Sequence, residues 1–574
     1  MNAPGLKGHM AQAIHRDADV LVIGAGGAGL MAAHAAASAG ASVIIADKSL
    51  IGRGGATIMA QMTTAVALGA AEPDSPEIHA QDTLNGSRGL ADPAIIDAIC
   101  GRGPELIREV EGYGVNWARV ADGSYSQVFA PGHSRKRCVY VDVLRTGDAV
   151  SRAMRAVVSR NAQITRLPNV MLTRIAKEGE RAIGALGFTI EGLAPVAISA
   201  ETVIVATGGT TAVYARNSAS VNMTGDGFVL AAQAGAALRD LEMVQFFPIG
   251  HLYPPLVHLD PIMWDPFRYK LGGRLLNGRY EEFLQSSSGE VSGSYITPRD
   301  EATYQIFKEV EAGRGSPHGG AYLDFRMIEP EKLRAGFGPV IEILEKQGVD
   351  LTRDLIEVAP TAHYMLSGIE IDAAMRTAVP GLLACGEATN GMHGANRLSG
   401  NAITEALVTG RIAGETAAAS RRGGARPALH AALDAEWTRL QTTWFPRAVT
   451  RDEAPIDGLK ERLQQLMWAD AGPLRTRPQL ERALAGVRAL KAEAEAVALA
   501  PQPHYALPLQ EKIELQNMLA VSEGIVLGAL AREETRGAHV RLDHPETAPR
   551  AVSRAFRLGE DGWIMNDVDP AVAA

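Results

Sequence analysis

The sequence predicts an α/β chain organised around a parallel sheet, and three observations predict it. Residues 18–47 run as apolar strand, glycine-rich turn, alanine-rich helix and second apolar strand. Two more strand-plus-glycine turns, Ala206-Thr207-Gly208-Gly209 and Gly386-Glu387, lie far downstream, so the chain leaves this unit and returns to it. A periodic alanine- and leucine-rich stretch then fills the last third. At 574 residues the chain is too long for one core and suggests three or four compact units.

The elements follow in order. ADVLVIG, from Ala18, is apolar along its whole length, as strands buried on both faces of a parallel sheet are. GAGGAG follows, then LMAAHAAASAG, whose Gly40 is a natural left-handed helix stop. ASVIIAD supplies the second strand. The apolar run 20–45 is long enough to cross a membrane, but its glycines, His34 and Ser38 fall where a strand–helix–strand unit puts them, and no membrane insertion is expected. Helices are expected at Pro93–Gly112 and 141–159, and a strand at 201–206. Between 246 and 362 aromatics, prolines and the loop SSSGEVSGSYITPRD mark an inserted α+β domain. GLLACGEA at 381–388 returns to the first sheet. Past a linker at 420–427, LHAALDAEWTRLQ and QLERALAGVRALKAEAEAV carry i, i+3, i+4 apolar spacing. The expected organisation is a discontinuous first domain at 18–245 and 363–425, an insert at 246–362, a helical domain at 426–545 and a polar tail at 546–574.

Composition narrows the function classes. The chain is 46% hydrophobic and carries a net charge of −9. No long Lys/Arg run appears, and Arg421-Arg422 reads as a solvated linker, so a nucleic-acid partner is not expected. Cys100, Cys138 and Cys385 are far apart with no CxxC pair. They read as small buried hydrophobes, and the chain is not expected to hold an iron–sulfur cluster or any metal. The N-terminal segment has neither an apolar signal core nor a twin arginine, which points to a soluble, cytoplasmic protein.

Gly24-x-Gly26-x-x-Gly29 sits between strand and helix, the context a dinucleotide site requires. Gly24 permits the tight turn, Gly26 lets backbone approach a pyrophosphate, and Gly29 lets helix pack on strand. The helix N-terminus offers N–H groups and partial positive charge to the phosphates. Asp47, ending the second strand, can accept from a ribose hydroxyl. A lone motif of this kind does not choose between dinucleotides. The later glycine turns do: a discontinuous domain that returns repeatedly to one cofactor suits FAD, whose ring must be wrapped as well as its adenosine. The fold class is thus a discontinuous Rossmann-type FAD-binding domain with an inserted α+β capping domain and a C-terminal helical domain.

Six blocks resemble the fumarate reductase/succinate dehydrogenase flavoprotein family, which also holds L-aspartate oxidase and the adenylylsulfate reductase flavoprotein. They are MTGDGFVLAAQAGAALRDLEMVQFFP (223–248), TPRDEATYQIFKEVEAGRG (297–315), AHYMLSGIEID (362–372), GEATNGMHGANRLSGNAITEALVTGR (386–411), MWADAGPLRTRPQLERAL (467–484) and AREETRGAHVRLDHP (531–545). The resemblance implies a cap closing over the flavin and hydride transfer between flavin N5 and a substrate carbon beside an acid group. It places Arg299 on the proton-shuttling arginine, and His363 and Arg397 on residues that hold a substrate carboxylate. Arginine suits that grip because its fork binds a carboxylate bidentately. Arginine is a poor acid at its ordinary pKa, so Arg299 would need a relay, for which Asp300 and Glu301 are candidates. FAD contacts fall on Gly24, Gly26, Gly29, Asp47, Lys48, Gly55, Ala56, Thr57, Ala206, Thr207, Gly208, Asp226, Gly386, Glu387, Asn401, Ala402 and Ile403. Read without the resemblance, His363 would more often be a satisfied core histidine, and Arg397 a structural ion-pair former.

Three departures stand out. Covalent members attach the flavin to a histidine where this chain has Gly55, so FAD is expected to be bound non-covalently. Relatives read HPTG where this chain reads Phe247-Pro248-Ile249-Gly250, and their Thr-Glu-Gly-x-Arg-Gly-Glu-Gly run is replaced by IMWDPFRYKLGGRLLNG at 262–278. Both changes fall at the end that would hold a second carboxylate, where Phe246, Phe247, Trp264 and Phe267 would make an apolar wall or else serve as cap core. The expected substrate is therefore an organic acid longer than a C4 dicarboxylate, or its unsaturated partner. The implied partner is a separate iron–sulfur or ferredoxin-like protein, and a homo-oligomer is compatible with the reading. The competing readings are a stand-alone oxidase like L-aspartate oxidase and a non-catalytic electron-transfer flavoprotein.

Overall fold

The structure, a computed structural model, describes residues 12–570 except 143, 257–261, 265–267, 269–270, 285–298, 425, 445–455 and 500–503. The side chains of residues 299, 300, 339, 443 and 444 also lie outside the description.

Ile14–Ile23 is the central strand of a seven-stranded sheet. Val43–Ala46 and then Ile164–Leu167 pair in parallel on one side of it, and Pro195–Val205 pairs in parallel on the other. Pro195–Val205 is shared along its length. Its first half carries the antiparallel strands Arg181–Thr189 and Val170–Glu178, and its last residues pair in parallel with Leu382–Ala384, where the chain returns. Valine, isoleucine and leucine in Ile14–Ile23 are nearly all fully buried because helices cover the sheet. The helix Gly27–Ser38 packs along Asn401–Ala419, and glycines set that spacing: a Cβ on Gly410 would lie 2.3 Å from the Ala28 carbonyl oxygen. The expected helix Pro93–Gly112 has those bounds, capped by Asp92 with Pro93 at its first position. The one expected at 141–159 starts later, at Thr146.

A second core gathers apolar residues between Phe247 and Val358. It covers a four-stranded antiparallel sheet in the order Val244–Tyr253, Ile356–Met365, Ala321–Asp324, Arg274–Leu276. The first two strands begin and end in the first domain's core and run on into the second, so no flexible linker marks 246 or 362. Between Gln245↔Tyr364 and Phe246↔Ala362 their register skips His363, a bulge of the kind that re-aims a side chain.

Beyond 430 the helices Ile456–Asp470, Arg477–Ala496 and Leu507–Ala531 pack together. Leu507–Ala531 is long and apolar enough to cross a membrane, yet 72% of its most apolar window is buried inside the protein. Residues after 545, expected as a polar tail, form a hairpin instead: Ser553–Gly559 pairs with Gly562–Val568 and with Leu238–Arg239. The signal was an Asp561-Gly562 turn between alternating strands. Next to it Arg532, 1% exposed, donates to Glu242 (2.6 Å), Asp240 (2.8 Å) and Glu534 (3.0 Å). Three buried carboxylates around one guanidinium fix the root of Val244–Tyr253, because removing either sign would leave buried charge uncompensated.

Candidate active site

One long cavity, about 1610 Å³ including the part open to solvent, runs from the glycine-rich turn to the strand pair entering the cap. Its inner end is backbone. Gly24 has φ +100°, and a Cβ there would meet the Ala206 carbonyl oxygen at 2.5 Å. A Cβ on Gly29 would stand 2.0 Å from the Gly24 oxygen, whereas one on Gly26 would meet nothing within 4 Å. Gly26 therefore leaves open space at a helix start, the cradle a pyrophosphate needs. Thr57 Oγ1 accepts from Gly27 N at 3.1 Å and pins the 54–57 loop to that start.

Asp47 also lines the cavity, and its carboxylate accepts from Ala25 N (2.7 Å) and from Ser49 N and Oγ (2.7 and 2.8 Å). It shapes the turn and retains lone pairs for a ribose hydroxyl. Lys48 bonds to Asp226 (2.7 Å), Glu514 (2.8 Å) and Thr224 (2.6 Å). Burial alone would lower its ammonium, but the two carboxylates hold it above its ordinary value. Asp226 also accepts from Asn517 at 2.8 Å, so this cluster joins the cavity wall to the helix Leu507–Ala531. Gly55, Ala56, Ala206, Thr207, Gly208, Ala402 and Ile403 line the cavity as well.

Three expected cofactor residues stand off it. Gly29 and Gly386 act through close approach, a Cβ on Gly386 lying 2.7 Å from the Ala28 methyl. Asn401 faces away: its amide bonds to His79 Nε2 (2.8 Å) and Thr83 Oγ1 (3.1 Å) in the core. What it offers the cavity is position, since it starts the helix Asn401–Ala419 whose N-terminal residues Gly400, Ala402 and Ile403 are wall. A helix start there presents partial positive charge to an electron-rich ring.

At mid-cavity the Glu387 carboxyl is buried and accepts from Met365 N at 3.0 Å. Burial, helped by the nearby Glu405 charge, pushes its pKa up to about 8. Glu405 bonds to the buried Tyr364 hydroxyl and lies 3.1 Å from His393 Nε2. Burial and that carboxylate raise the Tyr364 phenol further.

The outer end is built of side chains. Arg397, 4% exposed, donates through Nε to Gln245 Oε1 (3.1 Å), and its guanidinium lies 4.7 Å over the Tyr364 ring. Gln245 returns a bond from Nε2 to the Arg397 carbonyl at 2.9 Å. His363, turned by its bulge, shares a hydrogen bond with Ser218 Oγ at 2.9 Å, and its ring lies 5.4 Å from that of Phe247. Arg397 and His363, which arrive from chain-distant elements, thus share one cavity end. Gln245, Tyr364 and Ser218 escaped the sequence reading because no short motif marks a residue whose role is to hold another. Of the four aromatics considered there, only Phe247 is cavity wall. Phe246 packs on Tyr214 and Trp468, and Trp264 sits in cap core on Phe325 and Phe337. Phe267 lies outside the described residues, as does the Arg299 side chain. Arg299 begins the helix Arg299–Glu311, which packs on both hinge strands.

Residues 19–403 match the family described as FAD binding domain, and 460–558 match the one described as fumarate reductase flavoprotein C-term. Among relatives, a chain of the CoM/CoB fumarate reductase of Methanothermobacter marburgensis is 33% identical over 93% of this chain and 95% of its own. L-aspartate oxidase of Streptomyces coelicolor is 34% identical over 92% and 89%. Among solved structures, E. coli quinol fumarate reductase FrdA superposes with TM-score 0.89 at 29% identity, covering 97% of each chain. Fold, cavity and matches define an FAD-dependent oxidoreductase. The chain belongs to the fumarate reductase/succinate dehydrogenase flavoprotein family.

Proposed function

We propose that the protein binds FAD non-covalently and catalyses hydride exchange between the flavin and a carbon next to a carboxylate, Arg397 and His363 holding that carboxylate. The supporting observation is their convergence on one cavity end, each fixed by a dedicated partner, Gln245 and Ser218. Non-covalent binding is supported by Gly55, a cavity residue with φ +80° and no side chain to attach.

FAD supplies two-electron transfer. The chain's own residues bind and orient. Arg397, pre-aimed by Gln245 and Tyr364, can grip a carboxylate in a fork and draw electron density toward it, which makes a conjugated carbon accept hydride more readily. His363 adds a second donor. Arg299 is assigned the proton delivered to or taken from the adjacent carbon, supported by its place at the start of a helix lying on both strands.

Electrons would pass to or from a separate iron–sulfur protein. Two facts support this: a similar chain is named as one component of a multi-chain fumarate reductase, and Cys100, Cys138 and Cys385 are buried and free. A soluble protein is supported by the burial of Leu507–Ala531. The test follows flavin bleaching and reoxidation with a panel of saturated and unsaturated carboxylic acids, with and without oxygen. Turnover with acids and slow reoxidation by oxygen are expected. Fast reoxidation by oxygen would move the reading to a stand-alone oxidase, and no response to any acid would end the enzymatic proposal.

A further inference from the structure

Resting on the carboxylate reading above, we infer that Phe247, Met62 and Met263 form an apolar subsite that selects a monocarboxylate with an apolar tail over a short dicarboxylate. The strand Val244–Tyr253 lays the site out along one axis. Gln245, which holds Arg397, comes first. Phe247, beside His363, is next, and Gly250 is bridged to Met263. At about 3.3 Å per residue, Gln245 to Gly250 spans on the order of 16 Å. Charge sits at one end of that axis and thioether and ring at the other.

The apolar end is assembled from both domains. Met263 N donates to Gln61 Oε1 at 3.0 Å, tying cap to loop. Met62, from the same loop, packs against the cap core around Phe247. Phe247 is 1% exposed and Met263 7%, yet both line the cavity, so the surface they offer is small, dry and directed inward. Gln61 and Thr63 are the polar neighbours in this wall, and among the described residues it holds no cation. A second carboxylate placed there would shed water and gain two neutral partners but no opposing charge. An alkyl or aryl tail would lose water to its advantage, and methionine thioethers adapt to irregular shapes.

The test is equilibrium binding to the flavin-loaded protein, read by the flavin difference spectrum and by calorimetry. Hexanoate and 3-phenylpropanoate are compared with succinate and fumarate. The apolar acids should bind at least about tenfold more tightly, the scale on which a hydrophobic pocket discriminates. Phe247→His should shrink or invert that ratio by about tenfold or more. Met62→Lys, at a partly exposed position, should do the same and serves if Phe247→His fails to fold. Dicarboxylates binding as tightly as the apolar acids, or an unmoved ratio in a folded variant, would overturn the subsite while leaving carboxylate binding intact. Binding of none of the four acids would overturn both readings together.

Discussion

Near Gly24 the cavity wall is main chain, held apart by missing side chains over a span of a few residues, whereas near Arg397 it is side chain, each group aimed by a partner hundreds of positions away. The first end tolerates almost no change in shape, because Cβ atoms there would run into carbonyl oxygens. The second tolerates change in shape but not in charge or in hydrogen-bond partner. The difference locates where a fold keeps its cofactor and where it can vary its chemistry.

The largest expected effect tests the first end. Gly29→Ala puts a Cβ 2.0 Å from the Gly24 oxygen and should leave purified protein with little or no flavin absorbance. Gly26→Ala, whose Cβ meets nothing, should keep the cofactor-free protein within about 0.5 kcal/mol of wild type while weakening flavin binding. Equal losses of stability from the two would break the contrast.

At the other end, Arg397→Ala should lower kcat/KM for a carboxylate substrate roughly a thousandfold with flavin content unchanged. A parallel loss of flavin would show that the two ends are not separable.

Glu387 sits between them. Its folded pKa of about 8 stands above the ordinary carboxylate value near 4.5, so the folded protein retains a proton that the unfolded chain releases. Its contribution to stability is complete below about pH 4.5 and is lost as pH rises toward 8. Glu387→Gln should therefore stabilise the cofactor-free protein relative to wild type at pH 8, on the order of 1–3 kcal/mol, and much less at pH 5. Denaturant unfolding at the two pH values reads this directly, and an equal gain at both would disprove it. The smallest effect belongs to Ser218→Ala, which frees His363 Nδ1: a roughly three- to tenfold drop in kcat/KM with a displaced pH profile is expected. An unchanged profile would reduce Ser218 to packing.

The same contrast explains what could be read in advance. The strand–turn–helix unit and the helix Pro93–Gly112 were legible because glycine spacing, Asp92 and Pro93 act within a few residues of themselves. Arg397 and His363 were legible only through family blocks; nothing local reveals a bulge that depends on the register of two strands far apart in the chain. Asn401 was assigned to the cofactor because its neighbours line the cavity, but helix periodicity turns its own side chain to His79 and Thr83. Lys48 was correctly placed near the site, but its ion pair with Glu514 needs the last long helix to be docked. The hairpin after 545 carried a readable turn that its charged surroundings concealed.

Two uninterrupted strands join the lid to its base, and that limits how the lid can move. It cannot slide or detach without tearing hydrogen bonds along both; it can only tilt, flexing where the pairing is already interrupted at His363. Such a tilt would carry Phe247 and Met263 away while Arg397 stays with the lower layer. A bound acid would then be released tail first, its charged head the last point of attachment.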